Sequence, residues 1–407
     1  MPPIIYHKPV YGPHGILLPW TTWEDVIDRE MNWYLKCPFE NGYPQFVQAT
    51  FLDGNHQRMS RDPSFIPSMQ NGMGIISYLK YYVHKGRSNG KVLEFARHMG
   101  DYLVKESLTP DSGKYPRFTR STGWAGKCPQ APDCGSQADR AYEIQPDKGG
   151  IAGYALVLLY EETKHQKYLE QAVQNARVLA ANMVEGDQAR SPWPYRADYR
   201  TGAARGEVSG NMSFILRLLD RLVEHGHAEF GEPRAKLWAW IRQHQIPSAA
   251  GNGRLWVQFF EDHQELDNRT AWAPLNTARY LIEKKEALDA DWKRDARTLI
   301  DFVNRIFITV RHGVALCGEQ TYDTAPWSGV LSNYGGVLAM YSRATGSREF
   351  EAVAYQALNY VLYGTDDDGC PADRGFDKGR GGWQEDAHTD KIHNFMDAMA
   401  AFPEWAK

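Results

Sequence analysis

The chain has 407 residues, a net charge of −4 and 43% hydrophobic residues, enough apolar material for a large core. It carries no block of Lys and Arg, which argues against nucleic acid as a partner, because phosphate binding needs a concentrated basic stripe. No apolar run approaches the about 18–20 residues that cross a bilayer, so no membrane-spanning helix is expected.

The first helix is expected over WEDVIDREMNWYL, with Thr22 as N-cap and acidic residues in the first turn. A polar, aromatic stretch follows, FENGYPQFVQATFLDGNHQRMSRDPSF, whose composition is not that of a linker. Helix pairs are then predicted at 69–86 with 89–107, 148–164 with 166–185, 207–227 with 231–246, 270–286 with 289–310, and 328–345 with 347–363. A last helix, DAHTDKIHNFMDAM, is positioned to pair with the first. No Ser/Gly linker divides the chain, so residues 1–407 read as a single domain.

The pairs repeat a pattern. First members are rich in small residues (GMGIIS, GGIAGYA, GGVLAM), which lets helices approach closely in an inner layer. Second members such as YLEQAVQNARVLAANM are amphipathic and suited to face solvent. An inner ring of small-residue helices inside an outer amphipathic ring predicts an all-α, (α/α)6-type toroid of helical hairpins; an open solenoid is the alternative. Loops after the second helices carry Gly, aromatics and charge: GKYPRF, SPWPYR, GRLWVQFFEDHQELDNRT, CGEQTYDTAPW and GCPADRGFDKGRGGWQED. They recur at one place in the repeat, so a ring would gather them at one end. With 13 Trp, 22 Tyr and 16 Phe in the chain, such a mouth suits sugar rings, whose apolar faces stack on aromatic side chains.

Among five cysteines, Cys128 and Cys134 have the spacing of a small disulfide loop, and their surroundings hold too few Cys or His for zinc. Cys37, Cys317 and Cys370 read as buried thiols. A disulfide would fit a periplasmic or extracellular location, although no signal peptide is present and a cytoplasmic one stays open. Asp366, Asp367, Asp368 and Gly369 resemble the start of a calcium loop but lack the later ligands, so a turn is expected. No metal or cofactor is expected.

The organisation resembles the (α/α) toroid group of carbohydrate-active enzymes, and within it polysaccharide lyase family 38, whose members cleave glucuronan or alginate-like chains. That resemblance implies an Asn, a His, an Arg and a Tyr on successive repeats. The matching positions are Asn211 in SGNMS, His263 and Arg269 in EDHQELDNRT, and Tyr322 in QTYDTAPW, with Arg311 competing for the Arg. The implied reaction is β-elimination from a polymer containing uronic acid. There the substrate carboxylate is neutralised by Asn211, His263 and Arg269, and Tyr322 serves as acid and base. Each residue also has a plainer role, as helix cap, loop histidine, surface ion pair or core tyrosine.

Substrate subsites are expected at Tyr43, His56, Arg58, Arg61, Trp193 and Trp256, the aromatics for stacking and the cations for uronates. Asn55 lies with that polar cluster. The partner is then an acidic polysaccharide or oligosaccharide. The alternative is a glycoside hydrolase of the same fold using two carboxylates drawn from Asp147, Glu261, Asp262 and Glu319. A noncatalytic sugar-binding toroid and a sugar epimerase are further readings.

Overall fold

The computed structural model describes residues 7–48, 66–121, 140, 142–260, 265–372, 375 and 390–407. Its helices are α1 (Trp23–Tyr34), α2 (Pro67–His84), α3 (Gly90–Lys105), α4 (Pro146–Thr163), α5 (Gln166–Ala181), α6 (Ser213–Glu224) and α7 (Gly231–Trp240). They continue with α8 (Ile246–Ala250), α9 (Trp272–Lys284), α10 (Trp292–Phe307), α11 (Ser328–Thr345), α12 (Glu351–Leu362) and α13 (Lys391–Ala401). Short antiparallel strand pairs decorate the connections. Among the described residues, no helix is long and apolar enough to cross a membrane.

Contacts divide the chain into two compact units. One comprises Met1–Ser60, Lys80–Phe95 and Pro274–Lys407; the other comprises Arg61–Leu79 and Ala96–Ala273. In the second unit α4 packs against its hairpin partner α5 and against α6, the next first-member helix. In the first unit α11 packs against α12 and α13 in the same manner. α4 and α11 therefore each meet both their hairpin partner and a further helix.

Small residues make that double contact feasible. A Cβ on Gly150 of α4 would stand 2.6 Å from Ile215 Cγ1, and one on Gly153 would stand 2.6 Å from a Leu218 methyl. In α11, a Cβ on Gly335 would meet Leu358 of α12 at 2.7 Å, and one on Gly336 would meet the Asn394 carbonyl of α13 at 3.0 Å. Such distances lie inside van der Waals contact, so a side chain at these positions would force its neighbours to shift.

The local signals act as expected at several ends. The Thr22 side chain accepts a hydrogen bond from Asp25 N at 3.2 Å, capping α1. The first and last helices meet within the first unit, where Trp23 packs edge-on against Phe395 with ring centroids 5.2 Å apart. Three predicted helices are shorter or interrupted, and the one expected at 207–227 begins only at Ser213. The expected 289–310 helix ends at Phe307, and its tail joins a hairpin of Ile308–Arg311 with Val314–Cys317. The run ITVRHGVALC is β-branched and apolar, and His312 and Gly313 both take positive φ at its turn, so the local preference is strand. The expected 231–246 helix is interrupted by a π-helical turn over Ile241–Gln245. Asp366–Gly369 forms a turn in which Asp366 Oδ1 accepts from Asp368 N at 3.0 Å and Cys370 N at 2.9 Å.

Candidate functional site

The second unit gathers a buried polar cluster at the start of α4. A three-stranded sheet pairs Glu143–Ile144 with Arg196–Asp198, and the latter with Ala204–Arg205. The chain leaves Ile144 and enters α4 through Pro146 at its first position, with Asp147 in the first turn. Proline there costs no hydrogen bond, and the helix N-terminus favours a nearby carboxylate.

Asp147 and Lys148 both have no exposed surface. The Lys148 ammonium donates to the Phe259 carbonyl at 2.6 Å and to Asp147 Oδ2 at 3.3 Å, and stands 3.4 Å from the centre of the Phe259 ring. Asn211 Nδ2 donates to the same Asp147 Oδ2 at 3.3 Å. Burial pushes the Asp147 carboxyl upward, against the opposing pull of Lys148 and Asn211. Its other oxygen, Oδ1, has no hydrogen-bond partner among the described residues. A carboxyl so placed is pushed toward its protonated form, with one oxygen unengaged.

A second cation stands on the neighbouring strand. Arg196, also without exposed surface, donates through Nη2 to the Phe260 carbonyl at 3.1 Å and lies 3.9 Å over the Tyr195 ring. The Tyr195 hydroxyl donates to that same carbonyl. The chain reaches these partners after Gln258, whose φ of 60° lies in the left-handed region. A non-glycine residue pays about 1–2 kcal/mol for that conformation, and such strain clusters at functional sites. Two consecutive carbonyls, of Phe259 and Phe260, are thus fixed against Lys148, Tyr195 and Arg196.

The residues singled out from the sequence fall into distinct places. Asn211 lies in this cluster rather than capping α6, whose N-cap is Met212. Arg269 is half-buried and pairs through its backbone with Val257, one residue before the strained Gln258. Tyr322, in the first unit, is 54% exposed at a turn. That turn is held by Asp323, which accepts from Ala325 N at 2.9 Å and from Trp327 Nε1 at 3.0 Å. It is therefore no core tyrosine. Arg311 is exposed on the hairpin before it, and Glu319 is buried, accepting from Gln320 Nε2 at 3.2 Å.

Trp193 and Trp256 correct the expectation of sugar stacking. Both rings have no exposed surface, and Trp193 Nε1 donates inward to the Leu179 carbonyl at 2.9 Å. A ring closed on all sides cannot take a pyranose face, so these tryptophans are core. Tyr43 is likewise buried, in a short strand paired with Phe39–Glu40. His56, Arg58, Arg61, Asn55, His263, Glu261, Asp262, Cys128 and Cys134 lie outside the described residues. Cys37, Cys317 and Cys370 are buried, as expected. No group of three or more His, Cys, Asp or Glu able to hold a metal occurs among the described residues.

The sequence reading placed Asp147 in a rival mechanism and passed over Lys148 and Arg196. Their signal was faint: an Asp-Lys pair following Pro at a helix start, and an Arg one residue into a strand.

No family model and no curated protein matches the sequence. Solved structures do match, across nearly the full chain. Cellobiose 2-epimerase from Spirochaeta thermophila aligns with a TM-score of 0.65 at 14% identity, covering 93% of this chain and 95% of that one. A family 76 glycoside hydrolase from a bovine Bacteroides thetaiotaomicron strain gives 0.59 at 10%, covering 95% and 78%. A polysaccharide lyase gives 0.58 at 13%, covering 93% of this chain and 53% of that one. The fold is the all-α toroid that the repeat predicts.

Proposed function

We propose that the protein is a carbohydrate-processing enzyme that cleaves a chain containing uronic acid by β-elimination. The observation that carries the reading is the Asp147 carboxyl, biased toward its neutral form by burial, beside the Asn211 amide and the Lys148 ammonium. Elimination requires that the negative charge of the substrate carboxylate be neutralised before its C5 proton becomes acidic. An amide, a neutral carboxyl and a nearby ammonium are donors suited to that task. On the sequence pattern, Tyr322 is the proposed proton-transferring group, with His263 and Arg269 as further neutralising partners. Asp147 and Asn211 have no exposed surface here, so the reading requires substrate binding to open a path to them.

One observation favours hydrolysis as a second reading. A carboxyl with a raised pKa is what a glycosidase acid needs to protonate a leaving oxygen near neutral pH. Structures of similar fold include an epimerase, a hydrolase and a lyase, so the fold itself does not choose among these chemistries.

The two readings part in one experiment. Polyuronates are incubated with the wild type, Tyr322→Phe and Asp147→Asn, following both the ultraviolet absorbance of a C4–C5 double bond and the appearance of reducing ends. Elimination predicts new double bonds, a fall of about 10²–10⁴-fold in Tyr322→Phe, and activity surviving in Asp147→Asn, whose amide remains a neutral donor. Reducing ends without double bonds, lost in Asp147→Asn, would replace elimination by hydrolysis. Neither product from any polymer would remove both.

A further inference from the structure

A cleft of about 530 Å³ lies apart from the Asp147 cluster within the second unit, and nothing in the proposed chemistry uses it. One wall is a single helical face: Glu232, Lys236 and Trp240 of α7 continue into Gln243 and His244 of the π-helical turn. The opposite wall is the segment after α5, including Val184, Gly186 and Pro192. Its volume falls within the range of small-molecule sites.

Three features separate this cleft from an ordinary surface dip. The π-helical turn forces an extra residue into the helix, a costly arrangement that recurs at functional sites, and it sets both Gln243 and His244 on the cleft wall. His244 Nδ1 is buried and has no hydrogen-bond partner among the described residues. A buried polar atom without a protein partner calls for a water or a ligand to meet it. Trp240, 4% exposed, forms the floor, and its Nε1 is anchored on the Asp187 carbonyl at 3.0 Å.

Charge decides what fits. Lys236 and Glu232 form an ion pair at 2.6 Å, so they largely cancel, leaving Glu185 as the remaining fixed charge on the wall. Among the described residues no Arg lines the cleft, and they offer a polyanion no cationic clamp. Apolar surface from Met183, Val184, Pro192, Pro233 and Trp240, interrupted by amide, imidazole and carboxylate groups, matches a ligand with apolar C–H faces and a rim of hydroxyls.

We infer that this cleft is a second carbohydrate site, one that binds a neutral mono- or disaccharide unit outside the catalytic cluster. The choice of a sugar rests on the proposed carbohydrate-processing function; the existence of a ligand site rests on the cleft and on His244. Such a site would hold a neutral stretch of a mixed polymer while its acidic stretch is processed.

The test uses ligand-observed saturation-transfer NMR, titrating the full protein with glucose, galactose, mannose, cellobiose and maltose. At least one should bind saturably. His244→Leu should weaken that sugar about fivefold to tenfold, the loss expected for one hydrogen bond. Gly186→Ala should weaken it too, because its Cβ would stand 2.5 Å from Trp240 Cδ1 and displace the floor. Gln243→Ala, at an exposed position that leaves the core untouched, keeps the test valid if either of those variants fails to fold. No saturable binding of any sugar, or wild-type affinity in both folded His244→Leu and folded Gln243→Ala, would overturn the inference. Failure of the proposed function would look different: no product from polyuronates, with saturable binding here intact.

Discussion

The Asp147 carboxyl is the central group of the proposed reading at the residue scale, and its protonation has a measurable consequence for stability. Burial raises its pKa in the folded chain above the unfolded value of about 3.9. The folded state therefore binds more protons than the unfolded state in the window that opens at that value and extends up to the raised one. Stability falls as pH rises through this window and levels off above it. Asp147→Asn removes the titration, so urea midpoints of wild type and variant, followed from about pH 4 to 7, should diverge in the variant's favour with rising pH. Midpoints that run parallel would mean that the carboxyl is ionised in the fold, and the neutral-donor role would fall with it. At this scale the sequence was only partly legible. Loop position pointed to Asn211, just before α6, and likeness to toroidal hydrolases pointed to Asp147, in the first turn of α4. It misplaced Trp193 and Trp256, since residue type conveys what a ring could do but not how deeply it is buried. Lys148 and Arg196 escaped notice because their interest comes from two backbone carbonyls more than 60 residues further on, of Phe259 and Phe260, a pairing made only by tertiary structure.

The same contrast between local pattern and tertiary contact governs the helices. Helix pairs were readable because a small-residue face and an amphipathic face are each periodic along the chain. The hairpin of Ile308–Arg311 with Val314–Cys317 was hidden because its apolar run continues the pattern of α10, and only the His-Gly turn marks the change. The π-helical turn leaves no periodic trace at all. Close inner packing gives a direct prediction. In Gly150→Ala the new methyl would meet the Ile215 backbone nitrogen at 2.9 Å as well as its side chain, and backbone cannot rotate away. The expected cost is about 1–3 kcal/mol in chemical denaturation. Gly90→Ala at the start of α3 meets nothing within 4 Å and should be neutral or stabilising by up to about 1 kcal/mol. Equal behaviour of the two variants would contradict the role given to inner-layer glycines.

For the molecule as a whole, the decisive contacts tie the beginning of the chain to its end. Within the first unit, Glu30 of α1 and Lys391 of α13 form an ion pair with no exposed surface on either side chain. The Thr365 hydroxyl donates to Glu30 Oε2 at 2.9 Å and accepts from the Lys391 ammonium at 3.0 Å. Around them, Trp23 Nε1 donates to Asn359 Oδ1 at 2.7 Å, and the Asn359 amide donates to the Leu17 carbonyl at 2.8 Å. Three distant stretches of sequence are thereby fixed by polar groups rather than by apolar packing alone. A buried pair of this kind contributes little net stability compared with apolar replacements, but breaking it strands a charge away from water. Lys391→Met should therefore destabilise the protein by about 3–5 kcal/mol, whereas Lys391→Met combined with Glu30→Leu should recover most of that loss. Unfolding midpoints of the two single variants and the double variant form a cycle that isolates the coupling. If the double variant is as unstable as the sum of the single ones, the pair is not coupled, and the link between the chain's two ends must be carried by Trp23 and its aromatic neighbours instead.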